Sequence, residues 1–410
     1  MDNKCVIIVR EGISGGTASL SFRLLMALRD NGYNCMYFCR QINDENNYKL
    51  FKNNGIPVEC IDDYSYKKHF DKRCDNSFIY KFVTYSIDEY LIVERLKNKY
   101  SNIESCLYYV VHHFAFGSAD SLWYNRLMSI VRYRHVVRRI YSNRSILFMS
   151  DLCLKNARTV LSLKMPLAEK LVYYLPMRIN DYSTNQICEK KRHNPFVIST
   201  ITRLEFPFKG YVIGLLDWFE RNFLRYNLEL TIVGDGQGQG VFLERLSTMA
   251  EDCRKRIQYY PNIPYDQLSD IFSITDLYVG MGTTLLDAAN NLTLAVPVNG
   301  YTMNLEVSGF FSENIKEVYA VGPLKPIDSL VHKLVEMSDE EYTKYINRQY
   351  DFFCKIYDIN NFVNYIISSD YDNRKISLLQ LFKIYLFDYS INYLTILKDQ
   401  LRHHLVFKKK

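Results

Sequence analysis

Short apolar runs of strand length alternate with helix-period stretches along most of this 410-residue chain. The first run, 5–9, leads into a loop holding Gly15 and Gly16 and then into leucines at 20, 24, 25 and 28. Leu24 and Leu28 share one helical face, and Asn31-Gly32 ends the helix. A second strand run at 35–39 completes a strand–helix–strand unit, which implies a parallel sheet wrapped by helices. Further strand runs follow at 107–111, 146–149 and 171–175. After Pro176 the alternation stops, and the polar stretch 178–194 reads as a connector. A second series then predicts strands at 196–201, 228–233, 257–260, 277–279 and 295–298, with helices at 212–223, 241–249, 265–272 and 283–290. The pattern predicts an α/β protein with two doubly wound sheets. One domain is expected over 1–180, a linker over 181–195 and a second domain over 196–357. From Ile376 onward apolar residues recur every three or four positions and end in Lys408-Lys409-Lys410, so 358–410 reads as an amphipathic helical extension.

Composition narrows the function classes. With 48% hydrophobic and 23% charged residues the chain folds rather than staying disordered. A net charge of +6 is small for this length and no binding motif accompanies it, which argues against nucleic acid. Ten cysteines without a CxxC pair read as reduced, buried thiols. No apolar run reaches the roughly 18 residues of a spanning helix, and Met1-Asp2-Asn3-Lys4 leads straight into a strand run, so a cytoplasmic protein is expected. Arg132, Arg134, Arg138 and Arg139, interleaved with apolar residues, suit an anionic membrane surface, as does the basic end of the C-terminal helix. A peripheral seat on the inner face of the membrane is one reading. A solvated basic face, with a terminal helix packed on its own domain, is the other.

Ligands of open α/β sheets bind outside the carboxyl ends of the strands. Gly15 and Gly16 lie at such an edge, where glycines let a phosphate approach a helix start or simply permit a tight turn. Arg203 and Lys209 flank the loop after the first strand of the second domain. Two cations there can neutralise a diphosphate leaving group, so neither a metal nor another cofactor is expected. Gly234 follows a strand, but glycines at 234, 236, 238 and 240 depart from the dinucleotide spacing G-x-G-x-x-G. They read as a flexible loop rim, which makes a nicotinamide-dependent oxidoreductase the weaker reading. Gly282, Thr283, Thr284 and Leu285 open a helix, and their N–H groups are expected to face an anion. Asp287, one turn on, can accept two ribose hydroxyls or act as a surface acid near a helix start. His112 or His113, at a strand end, can contact a sugar hydroxyl or be structural. Asp370-Tyr371-Asp372 reads as a turn rather than a metal site.

On these stretches the second domain resembles the nucleotide-binding half of the large retaining glycosyltransferase family of bacterial polysaccharide synthesis (glycosyl transferases group 1, family 4-like). The residues that carry it are Thr202-Arg203 with Lys209-Gly210, Val233-Gly234-Asp235-Gly236, Tyr260 to Ile263, Asp276 to Ala289, and Ala295-Val296-Pro297-Val298. In the first domain Gly15-Gly16 resembles the donor-side loop, and Phe148-Met149-Ser150 with Tyr174-Leu175-Pro176 the domain-closing segments. The resemblance covers the chain to about Tyr357. It implies a GT-B fold, with two Rossmann-like domains facing across a cleft. It further implies metal-free, retaining sugar transfer from a nucleotide-sugar donor to a glycan or lipid-linked acceptor, in capsule or O-antigen synthesis. Arg203 and Lys209 would hold the diphosphate, Asp287 the ribose, the Ile263 backbone the base and His112 the sugar. The family's two glutamates, eight positions apart, correspond to Val279 and Asp287. Since Val279 cannot bond a hydroxyl, a catalytically impaired nucleotide-sugar-binding or scaffold protein is the alternative.

Overall fold

A computed structural model describes residues 4–368 except 62–69, 72–73, 76, 113–114, 118–122, 165–170, 265–266, 312 and 314–315. Contacts divide the chain into two units, Met1–Pro176 together with the chain from Ile359, and Met177–Asp358.

The first unit is built on a parallel sheet in the order β3-β2-β1-β4-β5-β6. Its strands are β1 (Lys4–Gly12), β2 (Asn34–Gln41), β3 (Val58–Cys60), β4 (Ile79–Thr84), β5 (Ile103–Val110) and β6 (Ile146–Phe148). β1 is apolar from Cys5 to Val9 because a central parallel strand is covered on both faces. The helix Gly15–Asp30 buries Leu20, Leu24, Leu25 and Leu28, as their spacing requires. Chain order reverses between β1 and β4, so the loops after these strands border the crevice where such sheets bind ligands.

Three elements here depart from the expected pattern. The strand expected at 171–175 reduces to an isolated bridge between Phe148 and Val172. Conversely, β3 and β4 lie where no element was predicted. β4 runs Ile-Tyr-Lys-Phe-Val-Thr, and its Lys81 breaks the apolar run although the strand is central. Lys81 is only 4% exposed. Its Nζ donates to the carbonyls of Ile366 (2.9 Å) and Ile367 (3.1 Å) at the end of the helix Ile359–Ser368, and Glu104 lies 3.8 Å away. A cation at a helix C-terminus satisfies carbonyls that have no intrahelical donor and complements the dipole. Phe362 of that helix packs on Tyr109 and Tyr173. The residues 369–410, which hold Asp370 and Asp372 and most of the expected extension, lie outside the described residues.

The expected basic stretch falls in the helix Trp123–Ser142. Val136, Val137 and Ile140 are buried; Arg138 is exposed, while Arg132, Arg134 and Arg139 are half-buried, so only one of the four is fully open to solvent. No helix among the described residues is long and apolar enough to cross a membrane.

The second unit holds a parallel sheet in the order β11-β10-β7-β8-β9, formed by β7 (Phe196–Ile201), β8 (Leu228–Val233), β9 (Ile257–Tyr260), β10 (Leu277–Gly280) and β11 (Leu294–Pro297). β12 (Glu306–Val307) and β13 (Lys325–Pro326) form a small antiparallel pair beside it. The helices Tyr211–Asn222, Gln239–Thr248, Leu268–Ser273 and Thr283–Asn290 fall within a few residues of their predicted places. The polar stretch 181–195 carries a short helix, Thr184–Cys188, started by a Ser183/Gln186 capping box.

The glycine loop after β8 is not a flexible rim, and that expectation is corrected. Gly234 has φ +151°, and a Cβ there would stand 1.7 Å from the Thr202 carbonyl oxygen. At Gly236 a Cβ would lie 2.6 Å from the Leu204 oxygen. Leu204 N–H donates to Asp235 (2.7 Å) and Gly238 N–H to Leu204 (2.7 Å), zipping this loop to the one after β7. Gly234 and Gly236 are needed because two backbones touch there.

Replacing Gly234 by Ala is therefore expected to destabilise the protein by roughly 3 kcal/mol, through a disallowed φ and a backbone clash. Urea unfolding measures it, and a change below about 1 kcal/mol would show that the loop yields. Lys81→Met keeps the apolar stem and removes the charged hydrogen bonds, for an expected loss of roughly 2 kcal/mol. Amide exchange over Ile359–Ser368 should accelerate more than in the sheet; unchanged exchange there would mean that the aromatic packing alone holds the helix.

Candidate functional site

In the second unit the chain order reverses between β7 and β10, and the residues singled out in this domain gather at the carboxyl ends around that point. The loop after β7 carries Arg203, which is exposed and pairs with Glu205 at 3.0 Å. Such an open pair contributes little and is readily exchanged for a ligand anion. Lys209 sits at the far end of the loop in a left-handed conformation, φ +64°. Its N–H donates to the Gly300 carbonyl (2.5 Å) and its ammonium lies 5.5 Å from the Phe208 ring centroid. Burial, and secondarily the charge of Arg203, push the Lys209 ammonium down to about 8, with Glu205 opposing. A cation held below its ordinary value is unsatisfied, and an arriving anion restores it.

β10 leads through Met281 and Gly282 into the helix Thr283–Asn290. The expected row of four anion-facing N–H groups is corrected to two. Gly282 N–H donates to the Val318 carbonyl (2.6 Å), and Leu285 N–H closes the first turn onto the Gly282 carbonyl (3.2 Å). The Leu285 side chain is fully buried. Among the described residues the N–H groups of Thr283 and Thr284 have no protein acceptor. Gly282 has φ +80° with open space where a Cβ would stand. The Thr284 hydroxyl is engaged inward, 2.6 Å from the Tyr278 hydroxyl and 3.2 Å from the Ile201 carbonyl. Asp287 is 6% exposed, which corrects its reading as a surface acid.

The loop after β8 contributes Gly234, whose N–H bonds the Tyr260 carbonyl (2.9 Å) and whose carbonyl accepts the Tyr259 hydroxyl (3.0 Å). Both of its polar groups are thus taken by the protein, and its contribution is a low backbone floor. The loop after β9 holds Ile263, half-buried, whose backbone N–H and carbonyl have no partner among the described residues. Val279 lies inside β10, fully buried and in register with Val296. Counting eight residues back from Asp287 therefore lands in the sheet, because only Met281 and Gly282 separate strand from helix. The valine at position 279 is thus packed in the sheet and offers no hydrogen-bonding group.

In the first unit Gly15 (φ +73°) and Gly16 open the helix after β1, exposed and with no atom near a built Cβ. Gly15 thus has a conformational reason for being glycine, and Gly16 has none beyond open access. His112 follows β5 by two residues. His112 is exposed; its carbonyl accepts from Cys153 Sγ (3.3 Å) and Ala115 N–H (3.2 Å), while crowding by neighbouring atoms and then the Arg10 charge push its imidazole below the ordinary value. His113 lies outside the described residues.

Arg10, which the sequence pattern did not single out, organises this edge. Its guanidinium bonds Glu89 (3.2 Å) and the Thr17 hydroxyl (3.1 Å) and lies over the Tyr85 ring. Glu89 is buried and also accepts the N–H groups of Glu11, Tyr85 and Ser86; burial pushes its carboxyl up against Arg10 and those donors. Two signals pointed here: a cation directly after an apolar strand run, and Ser86-x-x-Glu89, the spacing of a capping box.

No family model and no curated protein matches this chain. Solved structures do. The crystal structure of HepE from Anabaena in complex with UDP-glucose is similar, with a TM-score of 0.60 and 13% identity over 89% of this chain and 98% of that one. A glycosyltransferase from Rickettsia africae is similar with a TM-score of 0.61 and 13% identity, over 90% of this chain and 100% of that one. The lipopolysaccharide outer core galactosyltransferase WaaB has a TM-score of 0.53 and 14% identity, over 89% and 99%. At these identities the likeness establishes the fold: the chain has the GT-B fold, with two Rossmann-like parallel sheets of six and five strands.

Proposed function

We propose that this chain is a glycosyltransferase that moves a sugar from a nucleoside-diphosphate-sugar to a glycan or lipid-linked acceptor, without a metal and with retention, in cell-surface polysaccharide synthesis. One observation carries it. At the β7/β10 crevice a displaced lysine, an exchangeable arginine and two acceptor-free N–H groups adjoin one another. That set matches a diphosphate, whose developing charge it would stabilise as the sugar–oxygen bond breaks. The Ile263 backbone suits the edge of a base, and Asp287 is the acid assigned to the ribose. His112 and the open helix start at Gly15 and Gly16 are assigned to the reacting side, with the acceptor on the first unit. The solved neighbours include one bound to UDP-glucose and one named a galactosyltransferase, which supports the same donor class. A cytoplasmic, membrane-peripheral seat through Arg138 and its neighbours belongs to this proposal. A second reading, nucleotide-sugar binding without transfer, draws on the burial of Val279.

Arg203→Ala with Lys209→Ala is expected to lower kcat/KM by roughly 10³-fold or more, with an unchanged circular-dichroism spectrum. Turnover equal to that of the unaltered protein would end the assignment. A panel of nucleotide-sugars scored for binding and for release of free nucleotide separates transfer from binding alone.

The Lys209 shift gives a pH dependence with a definite sign. The ligand-free ammonium loses its proton as pH rises through about 8, and the diphosphate binds the protonated form. Affinity for a nucleotide-sugar, whose phosphates do not titrate there, should be flat below that value and fall by up to about tenfold per pH unit above it. Calorimetry from pH 6.5 to 9.5 measures this, and Lys209→Arg is expected to flatten the profile. A pH-independent affinity in the unaltered protein would remove Lys209 from the phosphate site.

A further inference from the structure

The burial of Val279 leaves the donor's sugar without the acid that the resemblance implied, and the second unit offers another holder. We infer that the loop after β11, with Phe208 and Glu306, forms a pyranose subsite: the sugar ring packs on Tyr301 and Phe208 and donates hydroxyl hydrogen bonds to the Glu306 carboxylate. This rests on the nucleotide-sugar reading proposed above.

β11 neighbours β10, so the loop from Val298 to Met303 leaves the same carboxyl edge as the helix start at Thr283. Gly300 is clamped between the two anion-binding elements. A Cβ there would lie 2.5 Å from the Met281 sulfur, one residue before Gly282, and 3.3 Å from the Phe208 ring. The Gly300 carbonyl accepts the Lys209 N–H. The loop therefore borders both elements assigned to the diphosphate.

Its chemistry is that of a sugar site. The Tyr301 ring is 66% exposed and stands 4.9 Å from Phe208, tilted by 39°. Electron-rich aromatic faces attract the polarised C–H edges of a pyranose as they attract other positive edges. Beside them Asn299 fixes a carboxylate: its N–H donates to the Glu306 carbonyl (3.0 Å) and its Nδ2 to Glu306 Oε2 (3.1 Å). Asn299 Oδ1 in turn accepts the Tyr301 N–H (3.3 Å), coupling the platform to the acid. Among the described residues Glu306 Oε1 has no partner, and the residue is half-buried, so one oxygen remains to accept hydroxyls.

The experiment measures the affinity of the full chain for UDP and GDP and for UDP-glucose, UDP-galactose, UDP-N-acetylglucosamine and GDP-mannose. The tightest nucleotide-sugar and its matching diphosphate are then measured on Tyr301→Ala and Glu306→Gln. Each variant is expected to weaken the nucleotide-sugar by about tenfold and to leave the diphosphate within about twofold. Tyr301→Phe, which keeps the ring, should retain the affinity of the unaltered protein, and a melt identifies any variant that fails to fold. Arg203→Ala should weaken both ligands. Equal weakening of both by Tyr301→Ala and Glu306→Gln, or of neither, overturns the sugar subsite. Failure of the unaltered protein to bind any of these nucleotides overturns the nucleotide-sugar reading itself, and the subsite with it.

Discussion

A buried tyrosine hydroxyl holds the strand ends of the second unit at the spacing its site requires. Tyr278, on β10, donates to the Ile201 carbonyl at the end of β7 (3.1 Å) and lies 2.6 Å from the Thr284 hydroxyl at the start of the next helix. That hydroxyl is also within 3.3 Å of the Met281 carbonyl. Neighbouring strands lead into connections that run apart at a switch point, and nothing in the sheet ladder itself fixes the chain beyond the last paired residues. A hydroxyl on a fully buried tyrosine does, because leaving the Tyr278 group unbonded in the interior would cost about 1–3 kcal/mol. The two N–H groups of Thr283 and Thr284 are thereby fixed against the loop that carries Arg203 and Lys209.

Around this knot backbone hydrogen bonds tie several of the loops together. The loop after β8 is zipped to the loop after β7, the Val318 carbonyl caps Gly282, and the Gly300 carbonyl receives Lys209. Preorganised donors of this kind need little rearrangement when charge develops, which is the basis of electrostatic stabilisation. The same economy appears in the first unit, where Glu89 caps its own helix, receives three backbone N–H groups and aligns Arg10. In both units polar groups are held at the carboxyl ends of parallel strands by partners drawn from the adjoining loops.

Much of the architecture was legible because most strands are dominated by apolar residues, although β8 carries Glu229 and β9 Gln258. β1, β2 and every strand of the second sheet announce themselves as apolar segments of strand length, and the leucine spacing of Gly15–Asp30 predicts its buried face. The charged pair Arg203 and Lys209 and the helix start at Gly282 were legible too, since strand–loop–helix order alone puts them at a carboxyl edge. β4 was not, because Lys81 splits its pattern; the carbonyls of Ile366 and Ile367, 285 residues away and more, together with Glu104, make a lysine acceptable there. Arg10 was passed over for the same reason, its partner Glu89 being remote in sequence.

The sequence by itself determined the alternation of elements, hence two parallel sheets, and the residue types available at their carboxyl ends. Periodicity is a local property, and local rules read it. Which N–H groups remain open, that the glycine loop is packed tight, that Asp287 is buried and that position 279 falls inside the sheet were decided by the tertiary structure alone. Each depends on a carbonyl or side chain brought from elsewhere in the chain, and a linear pattern carries no record of the group that will stand opposite a given residue once the sheet has closed.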